Sequence, residues 1–600
     1  MKSSALTQTV DVETPELAVL SYTVAGVGSR ASAAIIDYLI CIVTVVLTFV
    51  LIAQFAVRGA ATRATTTMST AWVLAIAGLL QFAILWLYYV LFEALMDGQT
   101  PGKRIMNLRV VRDGGLAVNF EASAIRNLVR IVDMQPGFMY AVGMISLMAN
   151  SRGKRLGDMA AGTLVVKEDV ISQPISKRPV AARSADAPLA IAARLNEDEY
   201  ALLDRFVQRR MQLEPVRRNE LAATLATRLR AAFDTNPDQQ PLNALVRLHE
   251  EEQAARARGV ASRDDRGAAR ERHAIVAINA PRWTSFADRL KTVQRRGLKT
   301  LDEKGVREFV QEYRDLTADL ARLRTATRGN SSDELFYLNR LVATAHSLLY
   351  RRRTLTLTRF VQFIFVDVPA EIRASVRPIG LASVLLFLPI FITAQSVVMK
   401  PALISSLLPP SMVVRADSGV SNVKAGKTDY IKDPQVLRPV MASRIIANNV
   451  QVVFVAFAFG ISAGILTVWI LITNGVSIGA VIGLYLTKGI GHIVFGFMAA
   501  HGVLELSAIV IAGGGGLLLG AAMLIPGDRT RRRALTENGQ RAIRLVSGAA
   551  FLLVFAGTLE GFVSPNSSIP LSAKFAISAA TAVLLALYLY KAPRFLSSKY

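Results

Sequence analysis

His501 and Glu505 stand four residues apart at the start of an apolar run, so on a helix they share one face. An imidazole and a carboxylate at that spacing can pass a proton or offer two donors to a metal. A metal needs further ligands, and His492 is the other histidine nearby. In the competing, structural reading His501 caps the entry of its helix. Glu505 then pairs across a bundle with Lys488, whose ammonium is expensive inside an apolar run unless it is paired. Glu560 closes a further apolar run, and Asn448, Asn449 and Asn474 carry amides suited to hydrogen bonds between helices. Near the N-terminus, Arg30 and Asp37 are two helical turns apart and again share a face. An aspartate within an apolar run must face protein or water. Asp37 is therefore either a functional carboxylate or a packing partner, with Arg30 as an anchor.

These residues need apolar helices to hold them. About 20 apolar residues cross a bilayer, and the runs Ala31–Phe55, Ala71–Phe92, Ile379–Met399, Ile445–Thr473, Val476–Ala500, Gly502–Ile525, Leu545–Val563 and Leu571–Tyr590 give eight crossings. Pro136–Ala149 is apolar but short and follows Arg126, Arg130 and Asp133; it reads as interfacial or re-entrant. The first run begins after about 30 residues and is too long for a cleavable signal, so it reads as a span. Gly513–Gly516 allows close helix packing or a local break, and Gly489 and Gly491 permit a broken helix.

Composition agrees with a membrane protein. The chain has 600 residues, 52% apolar against 19% charged, with a mean hydropathy of +0.37. The 69 Lys and Arg exceed the 45 Asp and Glu, a net charge of +24 that fits cytoplasmic flanks beside anionic lipid. Lys103, Arg104, Arg109 and Arg112 follow the second run, Arg373 and Arg377 precede the third, and Arg529 and Arg531–Arg533 follow the sixth. Lys591 and Arg594 follow the eighth. One alternating path puts all of these, both termini and Glu168–Arg377 on the cytoplasmic side, with Lys400–Pro439 outside. Lys103, Arg104 and Arg109 then form a strip against lipid headgroups.

The stretch Glu168–Arg377 is charged, Arg-rich and helix-patterned. Residues 171–190 and Asp234–Pro241 read as linkers, and Asn196 with Glu199 as a capping box before Tyr200, Leu203 and Val207. Trp283–Arg324 and Leu335–Tyr350 show helical periodicity, with Leu320, Leu341 and Leu348 on buried faces. The expected fold is all-α, a polytopic helical membrane protein with a helical cytoplasmic middle. A single cysteine, Cys41, excludes an intrachain disulfide framework. Acidic residues are interspersed with the arginines and aromatics are few, which argues against nucleic acid. Pro101-Gly102-Lys103 lacks the upstream glycine and following hydroxyl of a P-loop, and no nucleophile elbow or His-Glu-x-x-His motif occurs, so no enzyme is expected.

Three segments carry a resemblance: Arg30 with Asp37, Gly98-Gln99-Thr100-Pro101-Gly102-Lys103-Arg104, and Gly153-Lys154-Arg155-Leu156-Gly157-Asp158-Met159-Ala160-Ala161-Gly162-Thr163. Residues 1–168 resemble the RDD family of membrane proteins, named for an arginine and two aspartates. Arg30, Asp37 and Asp158 take those three places, and the family implies a module with a suggested transport role. A second set comprises Asn448-Asn449, Asn474-Gly475, His501-Gly502 with Glu505-Leu506, and Glu560-Gly561. With the lead-in Leu338–His346, these make residues 283–563 similar to the stage II sporulation protein M family.

The expected organisation is 1–168, an RDD-like module; 169–282, linker and cytoplasmic helices; 283–378, a helical lead-in; and 379–600, a six-span domain. The second resemblance implies an inner-membrane organiser in bacteria, with MoxR-type AAA ATPases and von Willebrand A domain proteins as partners besides membrane lipid. Charged residues within spans keep a transporter or channel as the rival reading. No cofactor or metal is expected, and an oligomer is compatible with the sequence.

Overall fold

Apolar side chains that cannot be covered by protein must face lipid, and this decides which helices lie outermost. In the computed structural model, eight helices among the described residues are long and apolar enough to cross a membrane: Val27–Gln54, Ala71–Leu95, Val376–Met399, Arg438–Ile461, Ile465–Thr487, Gly502–Leu524, Arg531–Phe562 and Leu571–Tyr590. The structure describes residues 9–13, 19–61, 68–136, 140–150, 152–167, 194–195, 197–210, 215–233, 240–257, 263–298, 301–326, 333–349, 357–425, 438–566 and 568–590. The first and eighth spans leave Ile35, Leu39, Ile42, Val46, Val583 and Leu584 exposed, as lipid-facing helices do. The sixth is the buried centre.

The fourth and fifth spans are divided elsewhere than the sequence suggests. Asn474-Gly475, the gap between the apolar runs Ile445–Thr473 and Val476–Ala500, is no turn; it lies inside the unbroken helix Ile465–Thr487. The chain turns instead at Ser462–Gly464, where Ala463 and Gly464 take positive φ values of 57° and 81°. Gly475 serves packing: a Cβ there would lie 2.5 Å from the Leu386 carbonyl oxygen of the third span. A second break falls at Gly489, with φ of 71°, before the short helix Gly491–Ala499. Lys488 therefore caps the end of the fifth span rather than sitting in its middle. Gly513–Gly516 does not break the sixth span. It admits neighbours on several sides: a Cβ on Gly516 would lie 2.5 Å from the Ala456 carbonyl, and one on Gly514 would lie 2.7 Å from Ile379 Cγ1.

The chain forms two units, one of Met1–Val170 with His346–Tyr600, the other of Ile171–Ala345. In the first, N-terminal and C-terminal helices share one apolar core. Ile125, Leu128 and Val129 of the amphipathic helix Phe120–Asp133 join Phe457, Leu519, Ile543 and Leu553. Trp86 packs on Phe454, with ring centres 5.5 Å apart. Two antiparallel strand pairs, Thr9–Glu13 with Val19–Thr23 and Leu108–Arg112 with Thr163–Lys167, are the β-structure of the described residues. Pro136–Ala149 contains the helix Ala141–Ala149, whose nine residues rise about 13 Å, too short to cross.

The second unit is helical. Glu197–Arg209, Pro215–Arg228 and Pro241–Ala257 bury Leu203, Leu225 and Leu245 together. Arg263–Arg296 packs on Glu303–Ala326 through stacked Phe286 and Phe309, and the buried Trp283 indole donates to Asp319 at 2.9 Å. Leu320 and Leu341 are buried in this unit, and Leu348 is buried in the first. Asn196, residues 171–190 and most of Asp234–Pro241 lie outside the described residues, as do Lys591 and Arg594.

Candidate functional site

Asp37 projects from the first span into a set of donors. Its carboxylate accepts from the Tyr88 hydroxyl at 2.9 Å, the Thr100 hydroxyl at 2.6 Å and the Gly102 amide at 2.8 Å. Thr100 is the N-cap of the helix Pro101–Ile105 and Pro101 its first residue. Gly102 is needed for the approach, since a Cβ there would lie 2.2 Å from the Ala33 carbonyl oxygen. The Thr-Pro-Gly-Lys sequence thus builds a short helix that presses its N-terminus onto Asp37.

Arg30 shares the face but not the partners. Its Nη1 lies 3.4 Å from Asp158, whose carboxylate also meets Arg126 at 3.3 Å and Arg155 at 3.7 Å. Burial alone would raise the Asp158 pKa, but these three guanidiniums outweigh it and lower it to about 2. Arg155 reaches Asp133 as well, at 3.6 Å. Burial dominates at Asp133 and lifts its pKa to about 6. On the other side Arg126 lies 3.2 Å from Glu93, which also takes Lys103 and an Asn127 hydrogen bond of 2.8 Å. Burial brings the Lys103 pKa down to about 8 against the pull of Glu93. Lys103 is therefore no headgroup contact, because its ammonium turns inward to Glu93. Arg109 donates to the Asp97 carbonyl at 2.8 Å, while Arg104 faces outward.

Arg130 lies in a tyrosine cage. Its guanidinium stands 3.6 Å from the centre of the Tyr89 ring and donates to the Tyr38 hydroxyl at 2.9 Å and to the Tyr140 hydroxyl. A cavity of about 350 Å³ opens among Arg30, Asp37, Tyr38, Arg126, Arg130 and Arg155. Glu93, Arg126, Arg130, Asp133 and Arg155 were not singled out as site residues from sequence. The spacing of Arg126, Arg130 and Asp133, four and three residues apart, was the available signal that they share one helical face.

The second polar cluster lies where the sixth and seventh spans carry His501, Glu505 and Glu560. His501 Nε2 is 3.4 Å from Glu505 and 4.0 Å from Glu560, and its Nδ1 hydrogen-bonds the Ser564 hydroxyl at 2.8 Å. Asn449 donates to Glu505 at 2.8 Å. The three groups border a cavity of about 470 Å³ together with Arg415, Ser477 and Tyr485.

Lys488 is not Glu505's partner; its ammonium meets Asp417 of the helix Pro410–Lys424. Asn449 bridges two helices, whereas Asn474 bonds the Ile470 carbonyl of its own helix and Asn448 bonds Asn449. The expected pairing fails because Lys488 lies beyond the helix end, where Asp417 is within reach.

Residues 24–162 match the RDD family, residues 383–565 the stage II sporulation protein M family, and residues 273–351 a domain of unknown function. An uncharacterized protein of Methanocaldococcus jannaschii is 28% identical over 124 residues, which are 20% of this chain and 70% of that protein. No solved structure matches the chain. The protein is a multi-pass membrane protein in which one polypeptide joins a segment that matches the RDD family to a segment that matches the stage II sporulation protein M family.

Proposed function

We propose that the protein is a non-enzymatic organiser of an envelope-associated complex in a bacterial cytoplasmic membrane, with both termini and residues 168–377 on the cytoplasmic side. The observation that carries this reading is the separate helical unit Ile171–Ala345, which has a core of its own and a charged surface. Arg289 with Glu308 and Glu312, and Arg307 with Glu303, lie on that surface, which also exposes single apolar side chains such as Val216 and Ile278. Polar surfaces studded with single apolar groups suit reversible docking. By family resemblance the partners are a MoxR-type AAA ATPase and von Willebrand A domain proteins. Co-expression of such an ATPase with the full chain, and with a chain lacking Ile171–Ala345, tests this. The organiser reading expects co-purification with the first only, and equal recovery with both would sink it. Topology reporters at Ser184 and Ser418 should fall on opposite sides of the membrane.

Transport of an ion or small solute is the second reading, favoured by the buried charges around Arg30 and Asp37. The cavity there and the cavity beside His501 share no lining residue, which supports the organiser reading over one continuous path. Flux into liposomes that Asp37→Asn abolishes would reverse the preference.

A further inference from the structure

The geometry points to a divalent transition-metal site, of the zinc or manganese class, formed by His501, Glu505 and Glu560. One donor atom from each of the three residues falls within 4.8 Å of the others. Ligands about 2.1 Å from a tetrahedral ion stand roughly 3.4 Å apart. His501 and Glu505 are at that separation, 3.4 Å, and Glu560 at 4.0 Å closes on it with a small side-chain movement. One imidazole and two carboxylates form a nitrogen–oxygen set that suits Zn²⁺ or Mn²⁺ and does not require thiolates.

Two further observations distinguish the group from a chance meeting of acids. The first is support from behind. Ser564 takes His501 Nδ1 at 2.8 Å, which aims Nε2 at the carboxylates, and Asn449 holds Glu505 at 2.8 Å. Metal-binding histidines and carboxylates are oriented in this way by outer partners. The second is an unmet demand at the centre. His501 is only 4% exposed, and Glu560 Oε2 is buried with no hydrogen-bond partner among the described residues. Two largely buried carboxylates face one imidazole, and a buried acceptor left unpaired is costly. The nearby Lys574 ammonium is engaged by the Ser564 carbonyl at 2.7 Å, and Arg415 is exposed on the cavity wall. A cation at Nε2 answers both carboxylates at once, and the 470 Å³ cavity supplies the entry path and room for water as further ligands.

The test uses the full chain in nanodiscs, stripped with chelator and titrated with Zn²⁺ by calorimetry. One ion per chain is expected, with a rise in melting temperature on loading. Glu560→Gln keeps the shape, so it should melt like the wild type without metal yet bind Zn²⁺ at least about tenfold more weakly. Ser564→Ala, which removes only the outer support, should weaken binding by about 10- to 100-fold. Mn²⁺ bound in place of Zn²⁺ should show nitrogen coupling in its electron spin echo signal, lost in His501→Gln. If His501→Gln fails to fold, the Glu560→Gln titration decides. Absence of saturable one-to-one binding, as for a triad that only shares a proton, overturns the site. So does Zn²⁺ affinity unchanged in Glu560→Gln.

Discussion

Arg532 and Asp113 are 419 residues apart in the chain and 2.6 Å apart in space. The same carboxylate holds Lys154 at 2.6 Å, so Asp113 joins the RDD-family segment to the seventh span. Arg544 with Glu121, at 3.0 Å, makes a second such contact.

Asp113 and Arg532 should respond unequally to substitution. Lys154 is nearly fully buried, so Asp113→Asn leaves a buried ammonium unpaired and should destabilise by about 1–3 kcal/mol. Arg532→Ala removes a partly exposed partner and should cost about 0.2–1 kcal/mol. Thermal unfolding of the purified variants measures both, and equal losses would contradict the assigned roles.

Asp158→Asn should be the most damaging single change in the Arg30 cluster. Three guanidiniums lose their shared counter-charge, a loss of about 3–5 kcal/mol. The Asp158 pKa is lowered in the folded state from 3.8 to about 2. Its contribution is therefore complete above the unfolded value and is lost as pH falls through the folded one. Acid unfolding of the wild type should show this loss between about pH 4 and pH 2, and the Asn variant should lack it.

Asp133 carries the opposite sign. Its pKa is raised on folding from 3.8 to about 6, so its contribution is complete below the unfolded value and lost as pH rises through the folded one. Asp133→Asn cannot ionise. Between pH 4 and pH 7 its stability relative to wild type should improve, by on the order of 1–3 kcal/mol. A stability difference that stays constant over this range would refute the shift.

Lys488 and Glu505 should prove independent. The Lys488 partner is Asp417, itself largely exposed, and Glu505 answers to Asn449 and His501. The losses from Lys488→Met and Glu505→Gln should add, with a coupling below about 0.5 kcal/mol in a double-mutant cycle.

The membrane helices were legible because an apolar run of span length has few other uses. Their borders were less so. Asn474-Gly475 has turn chemistry, yet that glycine answers the close approach of Leu386 from the third span, a contact invisible in one dimension. The true turn at Ser462–Gly464 carries one glycine and little polarity. Arg30 and Asp158 could be linked only through the family motif, since 128 residues separate them. Glu93 follows the apolar run Ala71–Phe92 with no motif to mark it, although it is fully buried and meets Lys103, Arg126 and Asn127. Glu560 was read as the close of a span; the fold, not the spacing, brings it to His501.

The segment Ile171–Ala345 leaves and re-enters a single body, because the core on either side of it is continuous. Covalent linkage through that segment is thus separate from the packing that joins the two families. A gene cut within it should yield two polypeptides that find each other in the bilayer and purify together. What the uncut chain adds is stoichiometry: one copy of each family, inserted in a fixed mutual orientation, with no free subunit to be cleared.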